Sequence, residues 1–115
     1  MNSILTIALM LTSLFHTALK SSIPAKGSSV MTPPVVSLTF TESVNVNLTT
    51  IAITKPDSTT VVESLVVPKG AAGETVGAPV KTKLAPGKYL IKWKTASDDG
   101  HVVRGVFAFI VIAGK

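Results

Sequence analysis

Alternation of apolar and polar residues dominates the chain after its first fifteen positions. The clearest case is the segment 88–94, in which Tyr89, Ile91 and Trp93 share one parity and three lysines share the other. A period of two places successive side chains on opposite faces of a strand, so this strand is predicted to bury its aromatic face. Other strand-like segments with alternating or β-branched residues are 36–41, 44–48, 51–53, 59–62, 65–67 and 102–112.

These segments together predict an all-β fold. About seven short strands within roughly 100 residues, and no helical pattern after residue 15, are typical of a two-sheet Greek-key sandwich. The turn residues in Lys55–Ser58 and Pro86–Gly87 separate strands, and the Gly-, Ala- and Pro-rich segment Pro68–Pro79 is predicted to be a loop. A length of 115 residues leaves room for a single domain.

The first fifteen residues have a different character. Met1–Phe15 contains no charged side chain, and its apolar run, Ile4–Leu14, is too short to span a bilayer. We interpret residues 1–15 as a signal peptide that is cleaved after Phe15, which leaves residues 16–115 as the exported domain. The alternative is a hydrophobic helix that is retained in the fold or used as a membrane tether.

Composition excludes several kinds of site. The chain has no Cys, so it can form neither a disulfide nor a thiolate metal site. The formal net charge is +5, and Lys88, Lys92 and Lys94 share one strand face that could attract an anionic surface. The aromatic residues of that strand lie on its other face, so no stacking platform accompanies the lysines, and nucleic-acid binding is not predicted.

The two histidines are the candidates for metal chemistry. Cleavage after Phe15 would make His16 the first residue, where the freed α-amine and the imidazole can chelate one ion. Asp99 stands two residues before His101, and these side chains can converge on a strand or in a turn. Such a set of nitrogen and oxygen donors suits Cu(II) or Ni(II), and zinc stays possible. The alternative for the second motif is a solvated Asp-Gly turn.

Three ordered motifs extend this picture, because together they resemble the copper resistance protein C family, the periplasmic CopC-like copper-binding proteins. The first contains His16, Leu19, Ser21, Ser22, Pro24, Ala25 and Gly27, and is followed by the segment Leu38–Val44. The second contains Leu84–Gly87, Tyr89, Ile91 and Trp93. The third contains Ser97, Asp99, Gly100 and His101, followed by Gly105, Phe107, Phe109 and Val111.

This resemblance implies an immunoglobulin-like, cupredoxin-like β-sandwich or barrel that carries copper in the periplasm. It implies one Cu(II) per chain, held by the α-amine and imidazole of His16 together with Asp99 and His101. Glu42 is expected either to support the site or to be an exposed carboxylate at a strand end. After the leader only Met31 remains, so the Met-rich Cu(I) site of some members is not expected.

The implied role is copper storage, transfer or resistance by a monomer, and not enzymatic catalysis, since an added carboxylate ligand would fill the position that oxygen activation needs. Expected partners are the copper ion and either an inner-membrane copper transporter or another periplasmic copper protein. The alternative function is a β-sandwich module that binds proteins and no metal.

Overall fold

The computed structural model describes residues 17–33, 35–70 and 72–114, and within these ranges the chain forms eight strands in two sheets. The signal peptide, its cleavage site and His16 lie outside the described residues and stay predictions. The strands are β1 (Leu19–Ile23), β2 (Ser29–Val30), β3 (Val35–Val44), β4 (Thr50–Thr54), β5 (Val61–Leu65), β6 (Gly73–Pro79), β7 (Gly87–Ala96) and β8 (Val102–Val111).

The two sheets form the predicted sandwich. One has three strands in the order β1-β3-β6, and the other has five in the order β2-β8-β7-β4-β5. All pairings are antiparallel except that of β2 with β8, which is parallel. The chain changes sheet on either side of β2, between β3 and β4, and on either side of β6, which gives connections of the Greek-key kind. The all-β, immunoglobulin-like prediction is therefore confirmed.

The core lies between the sheets and follows the predicted alternation. In β7, Tyr89, Ile91 and Trp93 are buried while the lysines between and beside them are exposed. Trp93 meets Phe40 of the opposite sheet edge-on, with ring centroids 5.2 Å apart, a geometry that aromatic pairs favour. Trp93 is thus a core residue, as its position on the apolar parity predicts.

Gly105 makes room for this tryptophan. It is the Cα partner of Trp93 in the β7–β8 ladder, and a Cβ at this position would lie 2.6 Å from Cζ2 of the indole. Such a separation is far inside van der Waals contact, so only glycine lets the ring lie against β8. The packing of the largest core side chain therefore depends on a residue without a side chain.

Three sequence-based assignments are wrong. The separate strand-like segments 59–62 and 65–67 are one strand, β5. The predicted loop Pro68–Pro79 contains β6, which pairs with β3 and places Val76 and Ala78 in the core. The small residues of this segment are typical of loops and do not favour a strand. The segment is a strand because it pairs with β3. The strand predicted for 44–48 ends at Val44, and Val46–Leu48 forms a 3-10 helix that begins after Asn45, whose side chain accepts from the Asn47 N–H at 3.0 Å.

Several strand ends meet at one end of the sandwich, which we call the hairpin end. They include the start of β1, the end of β3, the end of β7 and the start of β8. In the described part of the chain, no helix has the length and apolarity that crossing a bilayer requires.

Candidate metal centre

The hairpin Ser97–His101 joins β7 to β8. The Gly100 N–H donates to the Ser97 carbonyl at 2.9 Å, and the Ser97 N–H donates to the His101 carbonyl at 3.1 Å. Gly100 has φ +88°, a left-handed conformation that side-chain-bearing residues adopt only with strain. The Asp99-Gly100 pair therefore sets a tight turn, which brings Ser97 and His101, the residues at its two ends, close together.

The Asp99 carboxylate organises this turn. Its Oδ1 accepts a hydrogen bond from the Ser97 hydroxyl and another, of 3.1 Å, from the His101 backbone N–H. Its Oδ2 lies 3.1 Å from Nδ1 of the His101 imidazole. The structure thus brings together two of the three predicted ligands, with a carboxylate oxygen facing an imidazole nitrogen.

These hydrogen bonds also control the charge of the site. The Ser97 hydroxyl, and after it the His101 N–H, hold the pKa of Asp99 below its ordinary value, and the slight desolvation of the carboxyl does not outweigh them. Asp99 is therefore an anion throughout the neutral range. The side chains stay open to solvent, with 64% of Asp99 and 78% of His101 exposed, so an ion can reach them without a conformational change.

Contacts between strand ends carry the beginning of β1 to the same end of the molecule. Val44 forms an isolated β-bridge with Ser97, and the Asn45 N–H donates to the Ala96 carbonyl at 2.8 Å. Two residues before Val44, Glu42 accepts a hydrogen bond of 3.3 Å from the Thr17 hydroxyl. Residue 17 and the hairpin are therefore both attached to the end of β3.

Exchange of hydrogen bonds between the strands fixes this start of the chain. The Thr41 N–H donates to the Ala18 carbonyl at 2.8 Å, and the Ala18 N–H donates to the Thr41 hydroxyl at 3.0 Å. Thr17 is itself buried, with 8% of its surface exposed. The residue that directly follows His16 in sequence is thus held at the hairpin end by both its side chain and its neighbour.

The described residues supply part of the predicted ligand set. Within ranges 17–33, 35–70 and 72–114, no three His, Asp or Glu side chains lie close enough to hold an ion. Asp99 and His101 provide one oxygen and one nitrogen donor, and Glu42 binds Thr17. A site with more donors needs ligands from outside these ranges, as the prediction for His16 requires.

Ser97 has a part that sequence reasoning did not assign. Its buried hydroxyl donates to Asp99 and leaves the other carboxylate oxygen facing His101. The signal available in sequence is a hydroxyl residue two positions before an aspartate at the start of a tight turn.

Comparison with known proteins identifies the family. Residues 19–112 match the family model described as the CopC domain. The chain belongs to the CopC family. Its matched region contains all eight strands, the Asp99–His101 pair and the start of β1, and the resemblance drawn from the three sequence motifs is confirmed.

Curated relatives and solved structures in the CopC family agree with this assignment. Copper resistance protein C of Escherichia coli is 29% identical over 103 residues, which cover 84% of this chain and 81% of the relative. Protein YobA of Escherichia coli K12 is 28% identical over 111 residues, covering 95% of this chain and 90% of the relative.

Two solved structures share the fold. CopC from Methylosinus trichosporium OB3b superposes with a TM-score of 0.74 at 26% identity, covering 84% of this chain and 93% of that one. PcoC, a methionine-rich copper resistance protein from Escherichia coli, gives 0.66 at 28% identity, covering 84% and 99%. Both alignments extend over nearly the whole of the solved chain.

Proposed function

We propose that this CopC-family protein binds one Cu(II) at the hairpin end of its sandwich and stores it or passes it to a partner in the periplasm. Family membership and relatives named as copper resistance proteins support a copper-related function. The observation that carries the specific proposal is the Asp99–His101 pair, with Oδ2 and Nδ1 3.1 Å apart, at the end of the sandwich where β1 begins.

The proposed ligands are the α-amine and imidazole of His16, the carboxylate of Asp99 and the imidazole of His101. Cleavage after Phe15 creates the amine. Support comes from Thr17, which donates a hydrogen bond to Glu42 of β3. Val44, at the end of the same strand, forms a β-bridge with Ser97. Glu42 then has a supporting role, because its carboxylate anchors the residue next to His16.

Donor chemistry favours Cu(II). Imidazole, amine and carboxylate are borderline to hard donors, and an arrangement of nitrogen and oxygen ligands suits the tetragonal geometry of Cu(II). The soft ligand that Cu(I) prefers is remote: Met31 follows β2, which pairs with Ile110 and Val111, at the opposite end of β8 from the hairpin. A Met-rich Cu(I) site is therefore not part of the proposal.

Exposure of the pair fits a carrier that loads and unloads. A buried site would need an opening motion before a partner could take the metal, whereas Asp99 and His101 are accessible as they stand. The proposed partners are an inner-membrane copper transporter or another periplasmic copper protein, and the proposed working state is the monomer.

The first experiment determines where the mature chain begins. Export in a Gram-negative host followed by intact-mass measurement of the periplasmic protein should give the mass of residues 16–115. A chain that keeps the leader, or that begins after His16, would contradict the amine ligand.

The second experiment titrates Cu(II) into the mature protein, three variants of the proposed site and one control variant. We expect His16→Ala and His101→Ala to weaken binding by at least about 100-fold, beyond the roughly 10- to 100-fold typical of losing a group that only orients a ligand. An Ala inserted before His16 keeps the imidazole and displaces the amine, so it should be as damaging. Lys69→Ala, on an exposed residue outside the hairpin, is the matched control. Unchanged affinity in the histidine variants would contradict these ligands, and absence of Cu(II) binding in the parent would favour the metal-free binding module.

A further inference from the structure

The outer face of the five-stranded sheet contains a groove of about 410 Å³ across β4, β7 and β8. Small side chains create it, because Thr50 and Ala52 of β4 are the Cα partners of Lys94 and Lys92 of β7. The side chains of Thr50 and Ala52 are much shorter than those of the neighbouring lysines. A depression therefore forms between the lysines and the β4–β5 turn. We call this depression the basic groove.

Two like charges lie opposite each other in the basic groove. Lys94 and Arg104 are Cα partners in the β7–β8 ladder, both are exposed, and Lys92 follows on the same face. Like charges directly across an antiparallel pair destabilise a sheet. Among the described residues that line the groove there is no carboxylate to offset the three cations. Folding alone therefore gives no reason for this arrangement.

The rest of the lining combines hydroxyl-bearing and apolar residues and is partly fixed. The Lys92 ammonium donates to the Ser58 carbonyl at 2.9 Å, which ties β7 to the β4–β5 turn at one margin. Val61 and Val106, which also line the groove, are 55% and 54% exposed. A ligand that matches this surface carries negative charges together with apolar groups.

An acidic protein segment fits this combination better than a nucleic acid does. Single-stranded nucleic acid is usually held by aromatic stacking in addition to charge. In the described ranges every aromatic side chain is buried in the core, and Trp93, which lines the groove, is only 8% exposed, so the groove offers little surface for stacking. Carboxylates alternating with aliphatic side chains would instead meet the cations and the two valines together.

The basic groove lies close to the proposed copper site. Lys94 is three residues before Ser97, and Arg104 is three residues after His101. At about 3.3 Å per residue in a strand, the cations are roughly 10 Å from the hairpin. A partner segment in the groove would therefore sit beside the proposed ligands.

We infer that the basic groove is a docking surface for an acidic, partly apolar segment of the protein that exchanges copper with this chain. The inference rests on the proposed function in naming copper exchange as the partner's role. The binding itself depends on Lys92, Lys94, Arg104 and the two exposed valines, and needs no bound metal.

The test uses the mature protein without copper and a synthetic peptide in which Glu and Asp alternate with Leu and Val. We expect saturable amide shifts in the NMR spectrum of β4, β7 and β8, and binding that weakens with added salt because the charges are exposed. The Lys94→Glu/Arg104→Glu variant should bind at least about tenfold more weakly. The control Lys26→Glu/Lys69→Glu makes the same change in net charge at exposed residues outside the groove and should bind as the parent does.

Charge reversal at Lys94 and four other ligands give further tests of the docking surface. The Lys94→Glu variant should melt at a higher temperature than the parent, because it turns a repulsive cross-strand pair into an attractive one. A peptide with Gln and Asn in place of the acids, inorganic phosphate, single-stranded DNA and vesicles containing phosphatidylglycerol should all bind more weakly than the acidic peptide. Equal loss in both double variants, or tighter binding of DNA or vesicles, would overturn the inference.

Failure of the inference can be told apart from failure of the proposed function. The His101→Ala variant should lose Cu(II) affinity and keep peptide affinity. If the peptide does not bind while copper binding requires His16 and His101, only the docking inference is wrong. If the peptide binds but copper binding does not depend on the histidines, the docking surface stands and the proposed copper site is wrong.

Discussion

Two turns at opposite ends of the five-stranded sheet share one backbone design. In the β4–β5 turn the Ser58 N–H donates to the Lys55 carbonyl, and in the β7–β8 hairpin the Gly100 N–H donates to the Ser97 carbonyl, each at 2.9 Å. Each turn has an exposed aspartate one residue before its residue of positive φ, namely Asp57 before Ser58 and Asp99 before Gly100.

The two carboxylates differ in their partners. Asp57 accepts hydrogen bonds from the backbone N–H groups of Thr59 and Thr60 and from the Thr60 hydroxyl, and these bonds lower its pKa to about 2. Asp99 uses one oxygen in the same way and turns the other toward an imidazole. A low pKa in a turn is thus a structural property in both cases, and the imidazole is what makes one of them a candidate ligand.

The sharpest test of this comparison replaces each aspartate by asparagine and measures Cu(II) affinity. We expect Asp99→Asn to weaken binding by about tenfold, less than loss of either histidine, because the amine and both imidazoles remain. Asp57→Asn should leave copper binding unchanged. A loss in the first variant as large as that of His101→Ala would make the carboxylate a dominant ligand, and a loss in the second would end the distinction between the turns.

The two turns also differ in the residue that adopts the positive φ, which is glycine in the hairpin and serine in the β4–β5 turn. Gly100→Ala forces a Cβ into the left-handed region, and we expect it to lower the free energy of unfolding by about 1 kcal/mol. Urea denaturation monitored by circular dichroism measures this change. Space is not the cause, because no atom lies within 4 Å of the added Cβ. An unchanged midpoint would mean that the hairpin relaxes to another turn type.

Acid should weaken both turns through their carboxylates. Because the pKa of Asp57 falls from 3.8 in the unfolded chain to about 2 in the folded protein, its contribution is complete above pH 3.8 and disappears as the pH falls toward 2. The pKa of Asp99 is lowered as well, so its contribution is lost in the same direction. Urea unfolding between pH 2 and 6 should show a shallower acid decline in Asp57→Asn than in the parent, and parallel curves would contradict the assignment.

The smallest effect is expected at Ser58, whose φ of 60° carries the strain that glycine avoids in the hairpin. Relief of that strain and the greater freedom of glycine in the unfolded chain oppose each other, so Ser58→Gly should stabilise by less than about 1 kcal/mol. Thermal melting of this variant beside Gly100→Ala gives the comparison. A marked destabilisation would show that the serine side chain matters to the turn.

A strand of this molecule can be predicted from sequence when its pattern of residues is a local signal, and cannot when it depends on pairing with a distant strand. Alternation in β7 predicts its buried face because a strand with one face in the core imposes that period. Nothing local predicts β6, since its glycines, alanine and proline favour a loop and only pairing with Val36, Leu38 and their neighbours in β3 makes it a strand.

The candidate site divides in the same way. The spacing of Asp99 and His101 makes their convergence predictable, because two residues apart in a tight turn are neighbours whatever the rest of the fold. The placement of Thr17 beside Glu42 depends on the antiparallel register of β1 with β3, across 25 positions of sequence, and cannot be derived from spacing. The assignment of His16 as a ligand stays a prediction.

The packing of the single tryptophan against Gly105 gives the protein an internal spectroscopic reporter. Trp93 is 8% exposed, so its emission should be blue-shifted in the folded state and move to longer wavelength when the sandwich opens. It stands four residues before Ser97, roughly 13 Å along β7 from the hairpin, close enough for a bound paramagnetic Cu(II) to quench it. Emission wavelength would then follow unfolding while intensity follows metal loading, in one unlabelled sample.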